Sequence, residues 1–222
     1  MLTTPQKYDI ISISQNVTNV IQQSFEEKQI RNTSGGKNLL AFQALNRIIK
    51  NYVESEKKLI SSGNTLTIKF VEKTFKSSIS PPSNILNQLQ LVRFKGNIDR
   101  VDILNGQYRI IDYKTGHVSS TELQSNNLCD LDTKPKLLQL LLYTWLFNKN
   151  FHQNNKSIVV GVINLRASNF ELKSCVINNK YFIDNNILSQ FEGEILSLIS
   201  KFFDPKETFE HLNKDRPCYF CD

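Results

Sequence analysis

Asp99, Asp112 and Lys114 are the residues whose types and spacing could do chemistry together. Residues 98–104 and 107–114 both read as strands rich in Ile, Val and Tyr, joined by Asn105-Gly106, a strong signal for a two-residue hairpin turn. The turn sets the register: Leu104 falls opposite Gln107, Asp102 opposite Arg109, Arg100 opposite Ile111, and Asp99 opposite Asp112. Side chains alternate along a strand, so Asn97, Asp99, Val101, Ile110, Asp112 and Lys114 share one face. Two carboxylates opposite one another, about 5 Å apart at Cβ, repel. Such a pair persists when a raised pKa or a bound cation offsets the repulsion. Carboxylate oxygens without His or thiolate suit a hard ion, Mg²⁺ or Mn²⁺. Lys114 adds an ammonium on the same face. Metal and ammonium together suit phosphodiester hydrolysis, the ion activating phosphate and water, the lysine orienting the water or screening charge. On the other face, Asp102 with Arg109 reads as an ordinary cross-strand ion pair and Arg100 as structural.

These residues also carry a resemblance. Gly96-Asn97-Ile98-Asp99-Arg100, then Ile111-Asp112-Tyr113-Lys114-Thr115-Gly116, then Gln139 and Tyr143 in Q-x-x-x-Y spacing, resemble the PD-(D/E)XK nuclease superfamily. Within it the pattern is similar to the RecB/AddB-like nuclease domains of helicase-type DNA repair proteins, over roughly residues 39–222. The resemblance implies a restriction-endonuclease-like α/β core: a mixed β-sheet with a central antiparallel hairpin, flanked by helices. It implies a metal-dependent, exonuclease-like deoxyribonuclease of DNA repair or recombination, with Asp99, Asp112 and the Tyr113 carbonyl holding Mg²⁺ or Mn²⁺. Lys114 is then the catalytic lysine, with Gln139 and Tyr143 supporting the site. One departure stands against full activity. The RecB-like G-x-x-x-H has no match ahead of residue 95, and the histidines are His117, His152 and His211. The alternative reading is a catalytically inactive DNA-binding module of a helicase–nuclease assembly.

The hairpin needs elements to hold it. Residues 17–27 read as a short helix with Val17, Val20, Ile21 and Phe25 at helical spacing. Residues 39–59 give a long amphipathic helix with Leu40, Phe42, Leu45, Ile48, Ile49, Tyr52 and Val53 as its apolar stripe, its carboxylates Glu54 and Glu56 expected in solvent. Residues 65–75 alternate as a strand, 77–87 with Pro81-Pro82 read as a loop, and 89–95 lead into the hairpin. Beyond it, Thr115 and Gly116 are placed to approach phosphate, Gly116 allowing a tight exit from the strand. His117 reads as an exposed loop histidine. Residues 118–132 make a long polar loop, expected to be mobile or to face DNA. Residues 134–148 form a helix apolar nearly all round, hence buried, with a polar stripe of Lys136, Gln139 and Tyr143. Such a stripe needs partners, and the carboxylate face of the hairpin is one source; a core tyrosine with a satisfied hydroxyl is the other reading for Tyr143. Residues 157–165 read as an interior strand, 168–177 as an edge strand and 184–203 as a closing amphipathic helix.

The division expected is a helical and loop segment over 1–36, the nuclease core over 37–217 and a truncated cysteine tail over 218–222. The 222 residues suffice for one well-buried domain, and the net charge of +6 favours a polyanion such as DNA as partner. No membrane span or signal peptide is visible, which points to the cytoplasm. Cys218 and Cys221 form C-x-x-C, while Cys129 and Cys175 stand apart. Two cysteines do not close a zinc site. In AddB-like relatives flanking cysteines hold an iron–sulfur cluster; the resemblance thus leads one to expect a fragment of a larger protein, and with four thiolates normally needed no intact cluster is expected here.

Overall fold

The computed structural model describes residues 10–28, 35–80, 91–151, 157–204, 206 and 208, with side chains from 16 onward. The Pro81-Pro82 loop, the 89–90 lead-in, His152, His211, Cys218 and Cys221 lie outside these residues. The chain divides into two compact units, one of Met1–Lys73, Ile98–Val118 and Gly161–Lys173, the other of Thr74–Asn97, Ser119–Val160 and Ser174–Asp222. In chain order the elements are α1 (Ile10–Glu27), α2 (Gly36–Ser61), β1 (Leu66–Ile79), β2 (Val92–Leu104), β3 (Gln107–Lys114), β4 (Gln124–Ser125), α3 (Pro135–Phe151), β5 (Ile158–Asn164), β6 (Leu172–Ser174), β7 (Val176–Ile177) and α4 (Asn185–Phe203). The architecture is α/β, with a five-stranded mixed sheet in the order β1-β2-β3-β5-β6. The interior place of β5 agrees with its continuous apolar run. Among the described residues no helix is long and apolar enough to cross a membrane.

In the first unit, Val17, Ile21 and Phe25 of α1 recur every four residues and close a small core with Val53, Phe42, Leu45 and Ile49 of α2. Phe25 meets Phe42 edge to face at 5.6 Å. Val20 and Leu40, expected in the two apolar stripes, instead lie in the exposed part of these helices. Two helices facing each other need only a narrow seam, and both residues fall beside it. The hairpin forms in the register set by its turn, from Leu104 opposite Gln107 to Arg100 opposite Ile111. Asn105 and Gly106 both have positive φ, 50° and 83°, as a turn matching strand twist requires. Asn105 also accepts from the Thr65 N–H at 2.9 Å and donates to Asn64 at 2.8 Å, tying the hairpin tip to the start of β1.

In the second unit, α3 buries Leu137, Leu140, Leu141, Thr144, Trp145, Leu146 and Phe147, the all-round burial its sequence implies. Phe94 of β2 packs on Trp145 at 5.3 Å, and Phe75 of β1 on Phe147 at 5.9 Å. Asp184 caps α4 by accepting from the Ile187 N–H at 2.9 Å, and Ile187, Leu188, Phe191 and Ile195 form its buried stripe. The segment expected to be a long mobile loop is instead folded: two 3-10 turns, Thr121–Leu123 and Leu128–Thr133, flank β4. Leu123, Leu128 and Leu131 are buried there, apolar anchors hidden in a polar-looking stretch. The edge strand expected over 168–177 is split. β6 closes the sheet, and β7 pairs in parallel with β4.

Candidate active site

The first unit carries the hairpin with two chemically opposite faces. On one, Asp112 is 2 % exposed and its Oδ2 lies 2.9 Å from Lys114 Nζ. Asp99 turns its Oδ2 onto the Tyr113 N–H at 2.8 Å, across the strand pair. Burial pushes the Asp112 carboxyl above its ordinary range; Lys114 pulls it back and the charge of Asp99 pushes it further up. Asp99, Asp112 and Lys114, the residues expected to act together, are thus neighbours. Their formal charges sum to one net negative.

The other face is balanced. Arg100, 3 % exposed, reaches Glu56 on α2 at 2.6 Å and Asp102 at 2.7 Å, while Arg109 grips both oxygens of Asp102 at 2.7 and 2.8 Å. Two anions and two cations alternate. The expectation of a modest cross-strand pair understates this: Asp102 is wholly buried and held by two guanidinium groups. Glu56 corrects the expectation of a solvated carboxylate, being 5 % exposed. Its place on the same helical side as Tyr52, one turn away, was the available sign. Tyr52 donates to Glu56 at 2.8 Å and its oxygen lies 2.9 Å from the Tyr113 hydroxyl. Arg100 stays charged: burial works against its charge, but Tyr113, Tyr52, Glu56 and Asp102 outweigh it and raise its pKa.

Thr115, Gly116 and His117 follow the strand as exposed residues. A Cβ at Gly116 would meet nothing within 4 Å and its φ is not left-handed, so the strand exit does not depend on glycine. In the second unit Lys136 pairs with Glu122 at 2.6 Å, which, with Ser119, holds that carboxyl down to about 2. Gln139 donates to the Tyr143 hydroxyl at 2.7 Å, one partner for the polar stripe of α3. Gly96 has a clear role: a Cβ there would lie 2.8 Å from Leu146 Cδ1 and 3.0 Å from Tyr143 Cε1, so β2 meets α3 where glycine makes room. A cavity of about 580 Å³ in the first unit is lined by Tyr52, Glu56, Lys58, Arg109 and Phe170 among others, and none of Asp99, Asp112 and Lys114 lines it.

The donor set on the Asp112 face fits a hard divalent ion. It offers carboxylate oxygens, carries surplus negative charge and holds one carboxyl reluctant to ionise, which a cation would relieve. Among the described residues no group of three or more His, Cys, Asp and Glu side chains is placed to hold a metal. A sequence profile of the PD-(D/E)XK nuclease superfamily matches residues 6–222, nearly the whole chain. The chain belongs to the PD-(D/E)XK nuclease superfamily. No curated protein matches it. As a PD-(D/E)XK protein it is a nuclease-type domain, of a superfamily of hydrolases that typically use divalent metals. Asp112-Tyr113-Lys114 spells the D-x-K of the superfamily's name.

Proposed function

We propose that this PD-(D/E)XK domain is a metal-dependent, exonuclease-like deoxyribonuclease of the RecB/AddB-like type, serving DNA repair or recombination in the cytoplasm beside a helicase-like partner. The observation that carries the reading is the buried Asp112 carboxylate, 2.9 Å from Lys114 and under the charge of Asp99. A basic chain of net charge +6 suits a polyanionic substrate. Asp99, Asp112 and the Tyr113 carbonyl would hold Mg²⁺ or Mn²⁺, which would supply Lewis-acid activation of phosphate and water. Lys114, part-exposed beside Asp112, has an ammonium that can leave this pair to orient the attacking water or screen charge building on phosphate. Thr115 and Gly116, exposed at the strand end, offer a hydroxyl and backbone N–H groups to phosphate. On the superfamily pattern, Gln139, Tyr143 and Lys136 of α3 would be residues that contact DNA.

Asp99→Asn and Asp112→Asn test this reading against labelled single- and double-stranded DNA. Each is expected to abolish metal-dependent cutting while the chain stays folded. The lack of a G-x-x-x-H ahead of the hairpin favours the second reading, a DNA-binding module without turnover. That module would retain DNA in a salt-sensitive manner and cut none of it with any metal.

A further inference from the structure

Residue 113 stands between Asp112 and Lys114, so strand alternation sends its side chain to the opposite face of the hairpin. Its main chain serves the acidic face, since the Tyr113 N–H holds Asp99 Oδ2 at 2.8 Å. Its ring serves the back. The Tyr113 hydroxyl lies 2.9 Å from that of Tyr52 and 3.3 Å from Arg100 Nη1. Proton counting orients this chain. Tyr52 has one hydroxyl hydrogen, and it goes to the Glu56 carboxylate at 2.8 Å. Tyr113 therefore donates to Tyr52, and Arg100 Nη1, one of whose two hydrogens goes to Glu56 at 2.6 Å, shares the other between both hydroxyl oxygens, at 3.0 Å to Tyr52. Ring packing repeats the same order: Tyr113 meets Tyr52 edge to face at 5.6 Å, and Tyr52 meets Phe170 at 5.5 Å. The end of the strand is held as well, since the Lys114 carbonyl accepts from the Leu165 N–H at 2.9 Å.

We infer that Tyr52, through its hydroxyl contact with Tyr113, is a positioning residue for the Asp99–Asp112–Lys114 site on the opposite face of the hairpin. A lateral shift of residue 113 moves three things at once: the carboxylate before it, the ammonium after it and the N–H that orients Asp99. A rigid grip on its ring suppresses that shift. The grip comes from α2, a different element from the hairpin, and Arg100 and Glu56 fix its direction. This inference rests on the metal-nuclease reading, because the positioned atoms are those assigned to the metal.

The test uses the whole chain with Tyr52→Phe, Tyr113→Phe and the double variant, which keep the rings and delete hydroxyls. Mn²⁺ affinity is read without DNA, from the electron paramagnetic resonance signal of free Mn²⁺. Cleavage is read as kcat and as the Mn²⁺ concentration for half activity, and folding as the thermal midpoint. Each single variant is expected to weaken Mn²⁺ binding about tenfold, the low end of the effect of groups that orient ligands. The double variant is expected to weaken Mn²⁺ binding no further than Tyr52→Phe alone, since the two substitutions share the Tyr52–Tyr113 bond, while Tyr52→Phe also deletes the bond to Glu56. Should Tyr52→Phe fail to fold, Tyr113→Phe removes the same bond from its other end. Wild-type Mn²⁺ affinity and half-activity concentration in both singles overturn the inference, as does a lowered thermal midpoint as the sole effect. Lys114→Ala, run alongside, separates the two claims. If it loses cleavage while the tyrosine variants behave as wild type, the nuclease reading stands and this inference falls; if the wild-type chain binds no Mn²⁺, both fall.

Discussion

The Tyr113 N–H donates to Asp99 Oδ2 across 2.8 Å, joining the two strands of the hairpin at the level of their acidic residues. One oxygen of Asp99 is thereby committed to protein, as Asp112 Oδ2 is to Lys114. Asp99, Asp112 and Lys114 together carry one excess negative charge, whereas the four charges on the face behind them balance. That imbalance is the physical reason to place a cation here.

It also gives the metal-free chain a pH signature. Asp112 is raised by burial, lowered by Lys114 and raised by Asp99. Its carboxyl signal in a ¹³C NMR titration is expected to have its midpoint above the ordinary value of about 3.9. Asp99→Asn is expected to move the midpoint down, and Lys114→Met to move it up. The sign for stability follows. Between the unfolded and folded pKa values the folded chain binds more protons than the unfolded one, so the Asp112 contribution falls as pH rises through that window. A midpoint at or below the ordinary value contradicts the assignment.

Arg100→Met removes the guanidinium between Glu56 and Asp102, leaving Glu56 buried without its counter-charge. A loss of about 3–5 kcal/mol is expected in urea unfolding. Pairing it with Glu56→Gln is expected to recover part of that loss, because the double variant no longer buries an unmatched charge at residue 56. An unchanged midpoint for Arg100→Met would mean the network does not hold the hairpin to α2.

Gly96→Ala asks whether the glycine of G-x-x-D serves packing. The added methyl would enter the space of Leu146 and Tyr143, so a loss of about 1–3 kcal/mol is expected in thermal unfolding. Leu146→Ala in the same chain is expected to relieve the clash, making the double variant less unstable than the sum of the two singles. Strict additivity would place the cost elsewhere.

The hairpin was legible in the sequence because Asn105-Gly106 leaves little freedom in register, and register decides which side chains share a face. The helices were legible where apolar periodicity was strong, as in α4 with Asp184 at its start. Glu56 was not, because exposure was assigned from residue type and its partner Arg100 lies forty-four positions on. Arg100 and Asp102 lie among Ile98, Val101 and Ile103, so a charged pair inside an apolar strand was the signal for a buried network. The 3-10 turns after the hairpin escaped for the opposite reason. Leu128 and Leu131 are three apart, but with Leu123 five positions earlier they continue no helical or strand period, and their burial follows from tertiary packing.

The most direct measurement is degradation of labelled single- and double-stranded DNA in Mg²⁺, Mn²⁺ or EDTA, wild type against Lys114→Ala. Cutting is expected with metal and none with EDTA, and Lys114→Ala is expected to slow it at least about a hundredfold while remaining folded. Cutting by Lys114→Ala at the wild-type rate would contradict the assignment of the reaction to the Asp99–Asp112–Lys114 face.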